Sequence, residues 1–161
     1  YRIFELNLEC KLIFVDATEN LNKDLKKLNI PTKDLPKNII VKKGTSDVDT
    51  LLEDATLILL SSIWHESGSR LILEGHKRGI PVMAFATGGT AEFMGHASED
   101  LFLKPESNTH WDSFSLINRI KELLSNVKLY INHANSLKRQ AMELEHQNKD
   151  LAIKILNQTL E

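Results

Sequence analysis

Residues 56–82 read TLILLSSIWHESGSRLILEGHKRGIPV, and this stretch decides the fold. Its opening apolar run is typical of a fully buried strand. Ser67 or Ser69 is suited to cap a helix, because a serine hydroxyl accepts hydrogen bonds from the first backbone amides of a helix. Gly79 is suited to end that helix in a left-handed conformation, and Pro81 cannot continue it. The stretch therefore predicts a strand, a loop and a helix in direct succession.

The alternation of strand and helix continues on both sides of this stretch. Short apolar runs alternate with helical patterns, which is the rhythm of a parallel sheet with flanking helices. We expect strands at residues 11–16, 38–42, 56–61, 81–86 and 101–103, and helices at 21–28, 47–53, 69–78, near Glu92, and at 111–124. Residues 1–9 fit the end of a helix. The predicted class is α/β, with a Rossmann-like parallel sheet and a long C-terminal helix.

Two glutamates, Glu66 and Glu74, stand eight positions apart across the junction between the strand and the helix. Eight helical residues advance about 12 Å, at about 1.5 Å each. Carboxyl pairs in glycosidases stand about 5 to 9.5 Å apart, so the spacing disfavours a hydrolytic pair. Between the two glutamates, the backbone amides around residues 69–71 would begin a helix and attract phosphate. A carboxylate, an anion cradle and a second carboxylate suit a nucleotide-sugar.

Gly88 and Gly89 follow the next predicted strand. Right-handed crossovers place the loops after successive parallel strands at one edge of the sheet, where open α/β sheets bind ligands. We therefore expect these glycines to share that edge with Glu66. Glycine lets the backbone adopt positive φ and approach a ligand closely. A lone Gly-Gly pair favours a plain turn, but its position beside the glutamate motif favours a binding loop.

Together these residues resemble a known family, the retaining GT-B glycosyltransferases of family 4, also called group 1. The signature of that family is two glutamates with seven residues between them, then Gly-x-Pro-Val, then a Gly-Gly loop followed by Glu. The sequence has each part, at Glu66 and Glu74, at Gly79, Pro81 and Val82, and at Gly88, Gly89 and Glu92. The resemblance covers residues 11–126 and implies the C-terminal, donor-binding half of a GT-B fold.

The resemblance implies a hexosyltransferase-type enzyme that moves a sugar from a nucleotide-sugar to an acceptor, with retention of configuration and without a metal. It assigns Glu66, the predicted catalytic residue, to hydroxyls of the donor sugar, and Glu74 to the ribose hydroxyls. The predicted substrate-binding residues are Glu74, His65, Ser67, Gly68, Ser69, Arg70, Leu71, Gly88 and Gly89. Gly68 and Ser69 depart from the family, which often has an aromatic residue and a glycine there. For Arg70, contact with phosphate and a solvent-facing position both stay open.

Composition limits the other functions. The chain has 161 residues and 42% apolar content, enough for one globular domain with a core. A net charge of -2 gives no electrostatic case for nucleic acid or an anionic membrane. One cysteine and six scattered histidines favour neither a disulfide nor a metal site. The single cysteine favours a reducing compartment and so predicts a cytoplasmic protein. No long apolar segment predicts a membrane span, and attachment to the cytoplasmic face of a membrane stays open for a longer chain.

We expect two regions: a nucleotide-sugar-binding domain at residues 1–126, without its first strand, and a helical tail at 127–161. The acceptor-binding N-terminal domain of the family is missing, so we expect the piece to bind a donor but transfer no sugar alone. In the tail, apolar residues and one asparagine form a heptad seam: Ala134, Leu137, Ala141, Leu144, Asn148, Leu151 and Ile155. Two interpretations stay open, packing along its own or the missing domain and self-association as a coiled coil.

Other interpretations compete with an enzyme. A non-catalytic nucleotide-binding or regulatory α/β module would share the sheet but would not need both glutamates. A protein that binds partners through the heptad seam would depend on Leu137 and Leu144 instead. Within the predicted helix at 69–78, His76, Lys77 and Arg78 are expected on the solvated face and in the last turn, where cations suit the helix dipole.

Overall fold

The computed structural model describes residues 11–16, 23, 26–27, 39–62, 65, 67–95, 101–103 and 113–159. The chain forms two compact units, Tyr1–Glu53 and Asp54–Glu161. Within the described residues, no helix has both the length and the apolar character that crossing a lipid bilayer requires.

Among its described residues, the first unit contains two parallel strands and a short helix, besides the helical residues 23, 26 and 27. Strand β1 (Leu12–Asp16) pairs in parallel with β2 (Ile39–Lys43), with Leu12 opposite Ile39 and Asp16 opposite Lys43. Helix α1 (Val48–Leu52) follows. Its N-cap is Asp47, whose carboxylate accepts a hydrogen bond from the Thr50 amide at 3.1 Å. Hydrogen bonds from the Thr50 side chain and from the Thr50 amide lower the pKa of Asp47, because both favour the ionised carboxylate.

The second unit is built on a three-stranded parallel sheet in the order β3-β4-β5. Its strands are β3 (Ile58–Leu60), β4 (Val82–Phe85) and β5 (Phe102–Leu103). The central strand β4 is paired on both sides, and Val82 and Met83 have no exposed surface. A continuous apolar run is what a parallel strand buried on both faces requires.

Helix α2 (Arg70–Arg78) connects β3 to β4 and packs on the sheet through a glycine. A Cβ on Gly75 would lie 2.7 Å from Cγ2 of Val82 and 2.8 Å from Cδ1 of Ile58, so the helix backbone approaches the strands closely. The helix ends at Gly79, which has φ 68°, and the Ile80 amide donates to the Gly75 carbonyl at 2.9 Å. This arrangement is a Schellman motif, and it requires a residue that tolerates the left-handed region.

Three further helices lie among the described residues of this unit: α3 (Thr90–Met94), α4 (Ser113–Ser125) and α5 (Val127–Thr159). The long helix α5 packs against α2, and its side chains Leu137 and Ala141 are buried. Further along the same helix Leu151 is 56% exposed. The early part of the predicted heptad seam therefore packs on its own unit, while self-association through the later part stays a prediction.

The structure confirms the α/β class, the parallel strand pairing and the long C-terminal helix. Each predicted strand is present within two residues of its expected ends, and the predicted helix at 69–78 is α2. The turn predicted near Glu92 is the short helix α3. The predicted helix at 21–28 is described at residues 23, 26 and 27, which are helical, and the prediction for residues 1–9 lies outside the described part.

One expectation about α2 is wrong. His76 has no exposed surface, whereas the sequence predicted a solvated position. The reason is helical periodicity, since His76 follows the buried Ile72 by four residues and lies on the same face. Lys77 is exposed as expected.

Candidate functional site

The loops after β3 and β4 leave the sheet at the same edge. The two strands are parallel and adjacent, with Ile58 opposite Val82 and Leu60 opposite Ala84. The glutamate loop, which we define as residues 61–69, follows β3, and the glycine loop, residues 86–89, follows β4. The described residues of both loops therefore lie beyond the same edge of the sheet, whereas the predicted position of Glu66 at this edge stays a prediction. Glu66 itself lies outside the described residues, as does Trp64.

A direct contact joins the two loops. Gly68, in the glutamate loop, has φ 150°, a conformation that side chains rarely allow. The ring of Phe93, on α3 just after the glycine loop, lies against the bare Cα of Gly68. A Cβ at Gly68 would overlap Cε2 and Cδ2 of that ring and would lie 2.6 Å from Cζ. Gly68 is therefore required by its backbone angle and by the ring beside it.

The start of α2 lies directly after Gly68. Ser69 is the N-cap residue, with φ −95° and ψ 121°, and its side chain makes no cap hydrogen bond. Its carbonyl accepts from the Ile72 amide at 3.0 Å. Arg70 is exposed and Leu71 is half-buried in the first turn. The first amides of a helix have no acceptor inside the helix, and the helix dipole attracts anions to them. The predicted anion cradle at residues 69–71 therefore coincides with a helix start.

Glu74 lies in the second turn of α2 and has a basic partner one turn later. Nη1 of Arg78 donates to Oε2 of Glu74 at 2.6 Å and to the Glu74 carbonyl at 2.9 Å. The side chain of Glu74 is 30% exposed and that of Arg78 is 29% exposed. The ion pair orients the carboxylate, while the Glu74 side chain as a whole stays partly exposed to solvent.

The glycine loop is a tight turn. Gly88 has φ 54°, the Thr87 amide donates to the Phe85 carbonyl at 2.8 Å, and the Thr90 amide donates to the Thr87 carbonyl at 3.1 Å. Gly88 is exposed and Gly89 is half-buried. The turn leads directly into α3, so the predicted glycine pair fixes where that helix begins.

The remaining predicted residues lie around this edge. His65 and Ser67 are exposed in the glutamate loop. Among the described residues, no group of three His, Cys, Asp or Glu side chains is arranged to hold a metal ion.

Two residues that the sequence did not single out for the site contact predicted site residues. Phe93 lies against Gly68, and Arg78 holds Glu74. The spacing of Glu74 and Arg78, four residues apart on one helix, was a usable signal for their ion pair. The contact between Phe93 and Gly68 depends on the angle between two loops, for which the sequence carries no local signal.

The fold and this edge define an α/β protein with a candidate ligand site beyond the carboxyl ends of parallel strands. A family model described as "Glycosyl transferases group 1" matches residues 2–144. The chain belongs to this family. A comparison with curated proteins finds no match.

Solved structures share the fold. HepE of Anabaena, in complex with UDP-glucose, matches with a TM-score of 0.72 and 19% identity over 96% of this chain. A glycosyltransferase from Rickettsia africae matches with a TM-score of 0.70 and 17% identity over 96%. WaaG, a glycosyltransferase involved in lipopolysaccharide biosynthesis, matches with a TM-score of 0.61 and 21% identity over 81%. The chain spans 43%, 42% and 33% of these three chains.

Proposed function

We propose that this chain is the donor-binding half of a retaining glycosyltransferase and that it binds a nucleotide-sugar at the edge formed by the glutamate and glycine loops. The observation that carries the proposal is the contact between Gly68 of the glutamate loop and Phe93 of α3, because Gly68 comes just before the start of α2, the helix that also carries Glu74. Membership of the family supports the proposal, and so does the UDP-glucose bound to HepE.

Different groups at this edge would bind three parts of the donor: the diphosphate, the ribose and the sugar. The amides at the start of α2 would hold the diphosphate, because unpaired donors and the helix dipole favour anions. The Glu74 carboxylate would accept hydrogen bonds from the ribose hydroxyls, and Arg78 keeps it oriented for that purpose. Glu66, at the opposite end of the cradle in the sequence, would accept from hydroxyls of the sugar.

The proposed reaction breaks the bond between the sugar's anomeric carbon and the phosphate oxygen, and forms a bond from that carbon to an acceptor oxygen on the same face. The departing diphosphate takes up the acceptor's proton. The helix start stabilises the negative charge that develops on the diphosphate, since its amides already point at the phosphate before the bond breaks. No metal takes part in this proposal. The acceptor would bind to a second domain, so this chain alone would transfer no sugar.

Titration calorimetry with UDP-glucose and a panel of other nucleotide-sugars tests donor binding. We expect one of them to bind the wild-type chain, and Glu74→Gln to weaken that binding by about tenfold to a hundredfold, the range for a hydrogen bond to a charged group. Glu145→Gln is the matched control. Glu145 is also a glutamate with basic partners, Lys77 at 3.9 Å and Lys149 at 3.4 Å, but it lies on α5. A folded chain that gives no heat with any donor would overturn the proposal.

The ion pair of Glu74 and Arg78 favours a second candidate, a non-catalytic α/β module in which Glu74 only stabilises its own helix. In that case Glu74→Gln would lower the melting temperature as an i,i+4 pair does and would leave nucleotide binding unchanged. Because Glu74→Gln removes the ion pair in either case, it is nucleotide binding that separates the candidates. Loss of binding in a chain that stays folded supports the transferase.

A further inference from the structure

The two loops of the candidate site each lead into a helix that ends against α5. The glutamate loop leads into α2, which ends at Gly79, and the glycine loop leads into α3, which ends at Gly95. Both glycines have positive φ, 68° at Gly79 and 64° at Gly95. A Cβ on Gly79 would lie 3.2 Å from the Ala134 carbonyl oxygen, and a Cβ on Gly95 would overlap the side-chain amide of Gln140. Both helix ends therefore contact α5, within about two turns of each other.

Gln140 joins α5 to the end of α3 by a hydrogen bond. Its Nε2 donates to the Met94 carbonyl at 3.1 Å. This carbonyl is in the last turn of α3, where carbonyl groups have no amide partner inside the helix. Because Met94 has no exposed surface and Gln140 is half-buried, water is a poor substitute for this donor. Gln140 therefore fixes the position of the end of α3.

The helix α3 is short, so its end and the glycine loop are close together. It has five residues, about 7.5 Å at about 1.5 Å each. The Phe93 amide donates to the Gly89 carbonyl at 3.2 Å. The Thr90 amide donates to the Thr87 carbonyl at 3.1 Å, so hydrogen bonds run without a gap from the helix into the loop. A shift at Met94 therefore reaches the glycine loop within little more than one turn.

The helix α2 depends on α5 less than α3 does. One face of α2 is buried, and Gly75 brings that face close to the sheet. The ion pair of α2 with α5, between Lys77 and Glu145 at 3.9 Å, joins side chains that are 50% and 48% exposed and contributes little. Loss of the Gln140 hydrogen bond should therefore disturb the glycine loop and leave Glu74 in place.

We propose that Gln140 is a positioning residue that sets the glycine loop of the donor site through α3. This inference rests on the proposed function, and it adds that a residue on the C-terminal helix, outside both site loops, controls the affinity for the donor. Packing of α5 on α3 and binding of the donor are then coupled, because both depend on the same arrangement of the glycine loop. Loss of the Gln140 donor weakens donor binding without removing any group that contacts the donor.

Two variants of α5 separate this role from a general loosening of the helix. Gln140→Met keeps an unbranched side chain of similar length and removes the N–H donor. Tyr130→Phe is the matched control, because it also removes one hydrogen bond from α5 to a backbone carbonyl. The Tyr130 hydroxyl donates to the Thr56 carbonyl at 3.0 Å, and Thr56 precedes β3, at the opposite end of the strand from the site loops. Urea unfolding of both variants gives the general loss of stability.

Site-resolved hydrogen exchange of the full chain, followed by NMR, tests the step from Gln140 to the glycine loop. In Gln140→Met we expect the amides of Thr87 and Thr90 to exchange about threefold to tenfold faster, the range for loss of one hydrogen bond. In Tyr130→Phe their exchange should change less than about twofold. Faster exchange confined to Gly95 would show that Gln140 only caps α3, and it would overturn the inference.

Calorimetric titration of the full chain tests the step from the glycine loop to the donor. The probe is UDP-glucose, or the member of the nucleotide-sugar panel that binds the wild-type chain. We expect its Kd to rise about threefold to tenfold in Gln140→Met and less than about twofold in Tyr130→Phe. An equal rise in both variants, or no rise in Gln140→Met, would overturn the inference and leave the proposed function intact. A folded wild-type chain that binds no donor would overturn both.

Discussion

The two faces of α2 have different roles. One face carries Ile72, Gly75 and His76, all buried, and packs into the core of its unit. The other carries Glu74 and Arg78, whose side chains keep 30% and 29% of their exposure. A helix of nine residues thus serves as core and as part of a candidate binding site. The buried face fixes the position of the helix, and the polar face depends on that position for its geometry.

Of the changes that test the two faces of α2, we expect the largest change in the free energy of unfolding from the protonation of His76 on the buried face. Burial lowers the pKa of His76 to about 4 from the ordinary 6.5. Within the described residues, neither ring nitrogen has a hydrogen-bond partner. Below pH 6.5 the unfolded chain binds a proton that the folded chain accepts only near pH 4. Stability should therefore fall across that window by about 3 kcal/mol, at about 1.36 kcal/mol per pH unit.

The variant His76→Met isolates this contribution. Methionine fills an irregular apolar space and has no unsatisfied ring nitrogens, so it should be more stable than the wild type by about 1 to 2 kcal/mol at pH 7. Denaturant unfolding of both chains from pH 7 to 4.5 should show their difference growing as the pH falls. Two parallel curves would show that His76 is not buried in the neutral form.

His76 also shows where the sequence is a good guide to this fold and where it is not. The strands were predictable because their apolar runs are bounded by polar loops, and α2 because Gly79 and Pro81 mark its end. His76 was misplaced because Lys77 and Arg78 beside it make the segment look polar, although its spacing from Ile72 places it on the buried face. Helical periodicity is a better guide to whether a residue is buried than the polarity of its direct neighbours in the sequence.

For the candidate site, the sequence predicted which loops lie together but not the contacts between their side chains. The order of strands and the position of Gly88 and Gly89 placed two loops at one edge, and the described residues agree. The ring of Phe93 on Gly68 was not predictable, because it depends on the tertiary approach of separate loops. Such contacts depend on packing, and the local sequence does not encode them.

A smaller effect is expected from Gly75→Ala on the buried face. Alanine favours a helix over glycine by about 1 kcal/mol. Its Cβ, however, would lie 2.7 Å from Val82, a stiff side chain with no exposed surface on β4. Overpacking of this kind costs about 1 to 3 kcal/mol. We expect a net loss of about 1 to 2 kcal/mol in the free energy of unfolding, measured by urea denaturation.

Lys77→Ala is the control for Gly75→Ala on the same helix. Lys77 is exposed, and its 3.9 Å ion pair with Glu145 joins side chains that are 50% and 48% exposed. Its removal should change stability by less than about 0.5 kcal/mol. If the Gly75→Ala chain is as stable as this control, the sheet accommodates the extra methyl group. The close approach of α2 to the sheet would then contribute nothing to stability.

The smallest effect on stability is expected on the polar face, from Arg78→Met. The ion pair with Glu74 is partly exposed, so its loss should cost less than about 1 kcal/mol. The effect on binding should be larger in proportion, because Glu74 would lose the donor that holds Oε2 at 2.6 Å. We expect the Kd for UDP to rise about threefold to tenfold, with Arg78→Lys intermediate because an ammonium group lacks the planar fork of a guanidinium. Calorimetry and thermal melts on one preparation give both numbers. A large fall in melting temperature with unchanged UDP binding would place Arg78 with the residues that build the helix, and the two faces of α2 would then share a single structural role.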